Sequence, residues 1–177
     1  MPLSELERFR AQKDDFFRGH PESPLSLEQQ KTFAGLRYFP ENSALRFRVP
    51  LERGVSHETI QMDTTGGQKR TYTLEGKASF TLDGQKVTVF LYGTEDSDLL
   101  FLPFKDQTSA KETYGAGRYI EVGVAEDDTV LLDFNYAYNP YCSYNDCWSC
   151  TLPPLENWLK TPIRAGELAF EEPRSGH

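Results

Sequence analysis

The hydrophobic positions of the N-terminal segment recur at helical spacing. Leu6, Phe9 and one of the two phenylalanines at 16–17 fall on one face of a helix. Ser4 and Glu7 have the spacing of a capping box, in which each side chain satisfies a free backbone N–H. The pattern therefore predicts a first helix that begins directly after Ser4.

Residues 1–35 are predicted to form a helical N-terminal segment. Gly, His and Pro at 19–21 end the first helix, because glycine and proline do not continue it. A second capping box at Ser26 and Gln29 predicts a short helix that ends near Gly35. We expect both helices to cover one end or one face of a sheet.

Farther along the chain the hydrophobic pattern changes to strict alternation. Apolar and polar residues alternate over 45–49 and, in a longer run, over 71–82, which is typical of half-buried strands. Gly76 interrupts the longer run and predicts a bulge or a sharp bend. Asp83 and Gly84 follow it and predict a tight turn into a return strand.

Residues 43–135 are predicted to form an antiparallel β core. Further strands are expected at 57–62, 99–104, 118–124 and 130–135. Tight turns between short strands favour meander connections. The long hairpin of 71–91 must curl to bury one face. The predicted fold class is mainly β (a β-rich α+β domain): a curled antiparallel sheet or small open barrel with the N-terminal helices packed on it.

The last part of the chain has a different composition. Residues 136–170 are rich in Tyr, Asn, Pro and Cys, and are predicted to form a long irregular loop, a short helix and a tail packed on the sheet. The 177 residues match the usual size of one domain, so 1–177 is predicted to be a single domain. A chain of this length buries roughly 70% of its unfolded surface, so it needs neither a disulfide nor a metal to fold.

Charge excludes some classes of function. The formal net charge is −8, and no cluster of Lys and Arg offsets it, so we expect no binding to nucleic acid or to an anionic membrane surface. No stretch approaches the ~20 apolar residues that span a bilayer, and the N-terminus does not resemble a signal peptide. We expect a cytoplasmic protein whose cysteines are thiols.

The sequence carries no signal for an oligomeric state.

One candidate site lies in the polar segment between two predicted strands. Gly115 and Gly117 stand just ahead of Arg118, so backbone N–H groups and a guanidinium could together hold a carboxylate or phosphate. Thr108 would join this ligand site, and Asp106 is a candidate general base. The alternative is structural: the glycines only form a turn, and Arg118 pairs with a nearby acid.

A second candidate site follows the last predicted strand. Asp133 and Asn135 share one face of that strand, where the carboxylate could act as a base and the amide could orient a ligand together with Asn139. In the structural alternative, Asp133 satisfies backbone N–H groups of the following loop. Glu156 and Asn157 are further ligand candidates, although Glu156 equally suits the first turn of a helix.

Three cysteines and several aromatic residues occupy the irregular segment. Cys142, Cys147 and Cys150 could bind zinc together with a fourth ligand; Cys142 and Cys150 could form a disulfide; or all three could be buried thiols. Tyr114, Tyr138 and Trp148 could be the apolar walls of a ligand pocket, or could pack the loop onto the sheet. No motif specifies a cofactor.

Four motifs in this half of the chain resemble a known family. The matching segments are Asp106–Tyr119, Asp133–Tyr144, Cys150–Leu159 and Ala165–Glu167. They are similar to the bacterial and archaeal family called domain of unknown function 1684, over roughly residues 99–168 and more weakly before them. The family pattern has no cysteine at the position of Cys147. The resemblance implies a family and no activity.

Three hypotheses of function follow. The first is a domain that binds a small molecule, with an anionic group held by Arg118. The second is an enzyme on the same site, with Asp133 or Asp106 as general base and Arg118 stabilising negative charge; a flavin enzyme is conceivable by fold analogy. The third is an interaction protein stabilised by a metal in the cysteine loop.

Overall fold

The computed structural model describes residues 2–54 and 57–171, and it begins with two capped helices. Helix α1 spans Glu5–Gly19 and α2 spans Leu27–Thr32, each with a complete capping box at its N-terminus. Helix α2 ends before the expected Gly35, because Phe33 already takes an extended conformation at the C-cap. The predicted helical N-terminal segment is otherwise confirmed.

Antiparallel strands form the rest of the ordered framework. The strands are β1 (Arg46–Pro50), β2 (Thr59–Asp63), β3 (Lys69–Leu82), β4 (Gln85–Thr94), β5 (Ser97–Phe104), β6 (Arg118–Val122) and β7 (Thr129–Asp133). Strands β2 to β6 make a five-stranded meander in chain order, and β1 pairs with β7 in a two-stranded sheet. Short 3-10 turns lie at Ser43–Leu45, Phe134–Tyr136, Tyr141–Ser143 and Leu155–Asn157.

The two sheets curl around one shared hydrophobic core. Single bridges join them at both sides, between Val124 and Val130 and between Glu52 and Lys77. Large aromatic side chains fill the space between the sheets, and Phe80 and Phe104 both contact the ring of Phe134. The sheet is not closed, and the predicted curled antiparallel sheet with N-terminal helices is confirmed.

Two local predictions in the long hairpin are also confirmed. The β3–β4 register shifts between Leu74 and Gly76, and a Cβ on Gly76 would lie 2.7 Å from Leu51 Cδ1 and 2.8 Å from the Glu52 carbonyl oxygen. Asp83 and Gly84 both have positive φ, as the tight hairpin turn requires. The absence of a Cβ at Gly76 therefore lets the segment that follows β1 approach the backbone of β3.

A second, smaller cluster lies beneath the helices. Phe17 and Leu25 pack there against Tyr144 of the irregular C-terminal segment, and the Phe17 and Tyr144 ring centroids are 5.0 Å apart. This contact places α1 beside the loop that carries the cysteines. In the described ranges no helix is both long and apolar enough to cross a membrane.

Candidate functional site

Arg118 and Asp106 form a buried ion pair where β6 begins. Arg118 is 1% exposed, and its guanidinium lies 3.5 Å from Asp106 Oδ1. The guanidinium also donates to three backbone carbonyls within 163–167, including those of Ile163 at 2.9 Å and Glu167 at 3.2 Å. These groups are called the Arg118 clamp below. They bind the C-terminal segment to the sheet.

The other carboxylate oxygen of Asp106 also accepts hydrogen bonds from groups of the protein. Asp106 Oδ2 accepts from the Ile163 N–H at 2.6 Å and from the Thr108 hydroxyl at 2.8 Å. Thr108 is fully buried. The structure thus brings together three predicted ligand residues, Asp106, Thr108 and Arg118. They lie around the C-terminal segment of the chain and are buried away from open space. This agrees with the structural alternative, in which Arg118 pairs with a nearby acid.

The two glycines ahead of Arg118 differ in what they do. Gly117 has φ +99°, and a Cβ there would lie 2.6 Å from the Phe104 carbonyl oxygen and 2.8 Å from Pro153 Cγ. A Cβ on Gly115 would make only ordinary van der Waals contacts with Ala110. Gly117 therefore permits a close crossing of two segments, which is a structural reason for glycine at this position.

Asp133 and Asn135 do not share a strand face, which corrects the sequence-based prediction. Strand β7 ends at Asp133, whose Oδ1 accepts from the Asn135 N–H at 3.0 Å and so caps the following 3-10 turn. Asp133 Oδ2 accepts from Arg46 Nε at 2.8 Å. The Asn135 side-chain amide accepts a hydrogen bond from the Asn42 N–H and donates one to the Asn42 carbonyl. The aspartate borders a cavity of about 430 Å³, but both its oxygens already have partners.

Asn157 completes the hydrogen bonding between two strands of the sheet. Pro103 on β5 has no N–H to donate to β4. The Asn157 side chain takes that place: its amide nitrogen donates to the carbonyls of Phe90 and Pro103, both at 2.9 Å, and its oxygen accepts from the Phe90 N–H at 2.8 Å. Asn157 is fully buried, and its neighbour Glu156 is exposed. The amide of Asn157 has no donor left for a ligand.

Glu167 is the centre of a buried polar network. The sequence places this residue in a family motif, with no role assigned to it. It is 2% exposed and forms an ion pair with Lys13 of α1. Its Oε1 accepts from the Tyr144 hydroxyl at 2.9 Å and from the Asn139 N–H at 3.3 Å. Burial and this carboxylate raise the pKa of Tyr144. The network joins the helix to the C-terminal segment.

An aromatic cleft of about 540 Å³ opens between α1 and β6. Its apolar walls and polar groups come from Phe9, Gln12, Lys13, Phe16, Phe17, Ile120, Glu121, Tyr136, Tyr138 and Tyr141. Tyr138 donates its hydroxyl to Glu121, and Lys13 Nζ lies 4.8 Å from the Tyr138 ring centroid. Burial and the Glu121 carboxylate raise the pKa of Tyr138, so its hydroxyl stays protonated.

A separate cavity of about 430 Å³ lies beside the cysteines, and we call it the thiol cavity. Its lining residues are Thr65, Gly66, Gln68, Tyr114, Cys142, Asp146, Cys147, Trp148 and Ser149. Two of the predicted pocket walls, Tyr114 and Trp148, are among them, whereas the third, Tyr138, lines the aromatic cleft. The predicted pocket is therefore divided between two places.

The three cysteines have different surroundings. Cys150 is buried, Cys142 is half-buried and Cys147 is exposed, and all three are thiols. Within residues 2–54 and 57–171, no three His, Cys, Asp or Glu side chains converge as a metal site would require. Zinc binding by the three cysteines, one of the alternatives that the sequence left open, therefore finds no support among the described residues.

The comparisons with known proteins place these features in a family. Residues 31–168 match the family described as "Protein of unknown function (DUF1684)". The chain belongs to the DUF1684 family. It is also similar to an uncharacterised protein of Haloarcula marismortui, from gene locus rrnAC0354, whose structure was solved by solution NMR. The identity is 35% over 93% of this chain and 92% of that chain, with a TM-score of 0.72. No curated protein matches the chain.

The helical residues of the aromatic cleft were missed from the sequence of this DUF1684 chain. Phe9 and Lys13 were assigned to a covering helix, and Glu121 only to the strand predicted at 118–124. The sequence carries no clear signal for them, because Phe9 belongs to the apolar stripe and only the structure shows that it is 40% exposed. Glu167 lies in the Ala165–Glu167 motif, which pointed to the region but not to its pairing with Lys13.

Proposed function

We propose that this DUF1684 protein binds a small molecule in the aromatic cleft. The observation that carries the proposal is the combination of size and lining: a cleft of about 540 Å³ with walls of Phe and Tyr and few polar groups. Ligand pockets of small molecules have volumes of roughly 300–1,000 Å³ and the same kind of lining. Among the predicted ligand residues, Tyr138 belongs to this site.

The charges around the cleft favour one class of ligand. The Lys13 ammonium is already neutralised by the buried Glu167, whereas Glu121 is exposed and accepts a hydrogen bond only from Tyr138 among its contacts in the cleft. Aromatic faces also attract cations. We therefore propose a ligand with a flat apolar body and a protonated amine that reaches Glu121.

The anionic ligand expected from Arg118 finds no support in this geometry. Three of the hydrogen bonds of the guanidinium go to backbone carbonyls, and a fourth contact is the buried Asp106. A ligand carboxylate would have to displace the C-terminal segment to reach it. The enzyme hypothesis likewise stays a prediction, because both candidate aspartates are hydrogen-bonded within the protein.

A screen of aromatic fragments by two-dimensional ¹H–¹⁵N NMR tests the proposal. Fragments with an amine should shift the amide signals of α1, of β6 and of residues 136–141, and their carboxylic-acid counterparts should bind more weakly. Gln12→Trp fills the cleft from an exposed position of α1 and should abolish the shifts. Ala11→Trp, which is also exposed on α1 but does not line the cleft, is the matched control and should bind normally.

Two results would overturn the proposal. One is an unchanged affinity of the amine fragments for Gln12→Trp, which would locate them elsewhere. The other is equal affinity of amine and acid fragments, which would contradict the role of Glu121.

A further inference from the structure

The thiol of Cys150 contacts the backbone of Cys142. Cys142 lies in the 3-10 turn Tyr141–Ser143, and its backbone N–H donates to Cys150 Sγ at 3.3 Å. The Cys150 thiol is also the largest of the influences that lower the pKa of Cys142. This contact places the Cys150 sulfur beside Cys142, so the two residues are candidates for a disulfide.

Hydroxyl donors surround the Cys142 sulfur and favour its thiolate. The Tyr114 hydroxyl lies 3.4 Å from Cys142 Sγ, and the nearby Thr65 hydroxyl accepts from the Cys150 N–H at 3.1 Å. Hydrogen bonds from Cys150, Tyr114 and Thr65 lower the pKa of Cys142 to about 6, against the opposing effect of burial. The titratable and charged groups that face the pair are Arg70, Tyr114, Tyr119 and Asp146.

The two sulfurs differ in accessibility. Cys142 lines the thiol cavity, whereas Cys150 is 8% exposed and is not among the lining residues. The hydrogen bond with Cys142 and burial raise the pKa of Cys150. A reagent that enters the cavity therefore meets the thiolate first, with the protonated thiol behind it.

We propose that Cys142 is a nucleophile that reduces hydroperoxides and that Cys150 resolves the oxidised product to a Cys142–Cys150 disulfide. The geometry points to this because a reactive thiolate needs partial exposure, hydrogen-bond donors and an adjacent second thiol. The inference is independent of the ligand proposed for the aromatic cleft.

The proposed reaction balances in two steps. The Cys142 thiolate attacks the terminal oxygen of ROOH; an S–O bond forms, the O–O bond breaks, and the alkoxide leaves as ROH after taking a proton from solvent. Cys150 Sγ then attacks Cys142 Sγ; an S–S bond forms, and the hydroxyl of the sulfenic acid leaves as water with the Cys150 proton. Each sulfur loses one electron, and the hydroperoxide gains two.

Peptide mapping of the full chain after stoichiometric hydrogen peroxide at neutral pH tests the proposal. We expect one internal disulfide between Cys142 and Cys150, reversed by dithiothreitol, with Cys147 left as a thiol. A parallel arm with cumene hydroperoxide asks which kind of hydroperoxide the cavity accepts: a faster reaction with cumene hydroperoxide identifies an organic substrate, and a faster reaction with hydrogen peroxide identifies a small one.

Variants separate the two roles. Cys150→Ala should stop at the sulfenic acid of Cys142, which dimedone traps. Tyr114→Phe should slow the first step roughly tenfold, because it removes a hydrogen bond to a charged sulfur. Tyr92→Phe removes a hydroxyl that does not line the thiol cavity and is the matched control, which should react at the wild-type rate.

The pH dependence gives a separate readout. Only the thiolate reacts, so the rate of Cys142 alkylation by iodoacetamide should rise to half its maximum near pH 6 and be flat above pH 7.

A disulfide that includes Cys147, or equal oxidation of all three thiols, would overturn the proposal. So would a Cys142 alkylation rate that still rises above pH 8. The mapping of the wild-type chain decides the question even if Cys150→Ala does not fold.

Discussion

The Arg118 clamp and the thiol cavity are both built from ionisable side chains held against the irregular C-terminal segment, but one is closed and the other open. In the clamp, Arg118 is 1% exposed, and its contacts go to Asp106 and to backbone carbonyls. In the thiol cavity, Cys142 borders about 430 Å³ of space. A charged residue whose partners lie within the protein serves stability, whereas one that also faces a cavity can serve chemistry.

The largest expected effect on the free energy of unfolding comes from removing the charge at the centre of the Arg118 clamp. Arg118→Met leaves the Asp106 carboxylate buried without its cation, and we expect it to lower the free energy of unfolding by about 3–5 kcal/mol. Urea unfolding followed by circular dichroism measures the loss. Arg53→Met is the control: Arg53 forms an exposed ion pair with Asp128, and its loss should cost less than ~1 kcal/mol. Equal costs for the two variants would contradict the structural role of Arg118.

Asn157→Leu tests a second closed position. The change leaves the backbone groups of Phe90 and the carbonyl of Pro103 without partners, and we expect it to cost about 2–4 kcal/mol. Gln61→Leu is a matched control, since Gln61 is an amide whose hydrogen bond to Thr71 lies on an exposed surface. A cost for Asn157→Leu no greater than that of the control would show that Asn157 does not join the strands.

Glu121→Gln tests the aromatic cleft, where stability should hardly change. Glu121 is exposed, so we expect a change of less than ~1 kcal/mol in the free energy of unfolding. The affinity for amine-bearing aromatic fragments should nevertheless fall about tenfold, because a charge-assisted hydrogen bond contributes roughly 1.5–3 kcal/mol. Titration by NMR measures the affinity. Glu126→Gln, an exposed acid that does not line the cleft, should leave it unchanged.

The open thiol pair should also give a pH dependence of stability. The folded-state pKa of Cys142 is about 6, below the value of about 8.5 for a free cysteine. The stabilisation from its thiolate is therefore absent below pH 6 and grows up to about pH 8.5; above that pH the raised pKa of Cys150 opposes it. The difference in unfolding midpoint between the wild type and Cys142→Ser should widen from pH 5.5 to pH 8. A constant difference would contradict the lowered pKa.

Local features of the fold were predictable because local chemistry determines them. The capping boxes at Ser4 and Ser26, the bulge at Gly76 and the turn at Asp83–Gly84 each depend on a few adjacent residues. Alternation over longer runs identified the strands of the meander. The curled shape followed from the need of a long hairpin to bury one face.

The candidate sites were less predictable because their partners are distant in the chain. Arg118 was correctly placed at the start of a strand, but its binding to the carbonyls of 163–167 depends on how the C-terminal segment crosses the sheet. Asp133 was expected on a strand face, whereas its capping bond ends the strand. Lys13 belongs to both the cleft and the Glu167 network only because α1 packs beside that segment.

The bond between Asn157 and Pro103 also has a consequence for how the chain folds during synthesis. The two residues are separated by 54 positions, so the junction between β4 and β5 lacks its donor until the C-terminal segment has emerged. Contacts of such long sequence separation form late and slow folding. A nascent chain that ends shortly after β5 would therefore expose an incompletely bonded strand pair, which makes the synthesis of the segment around Asn157 the step that completes the sheet.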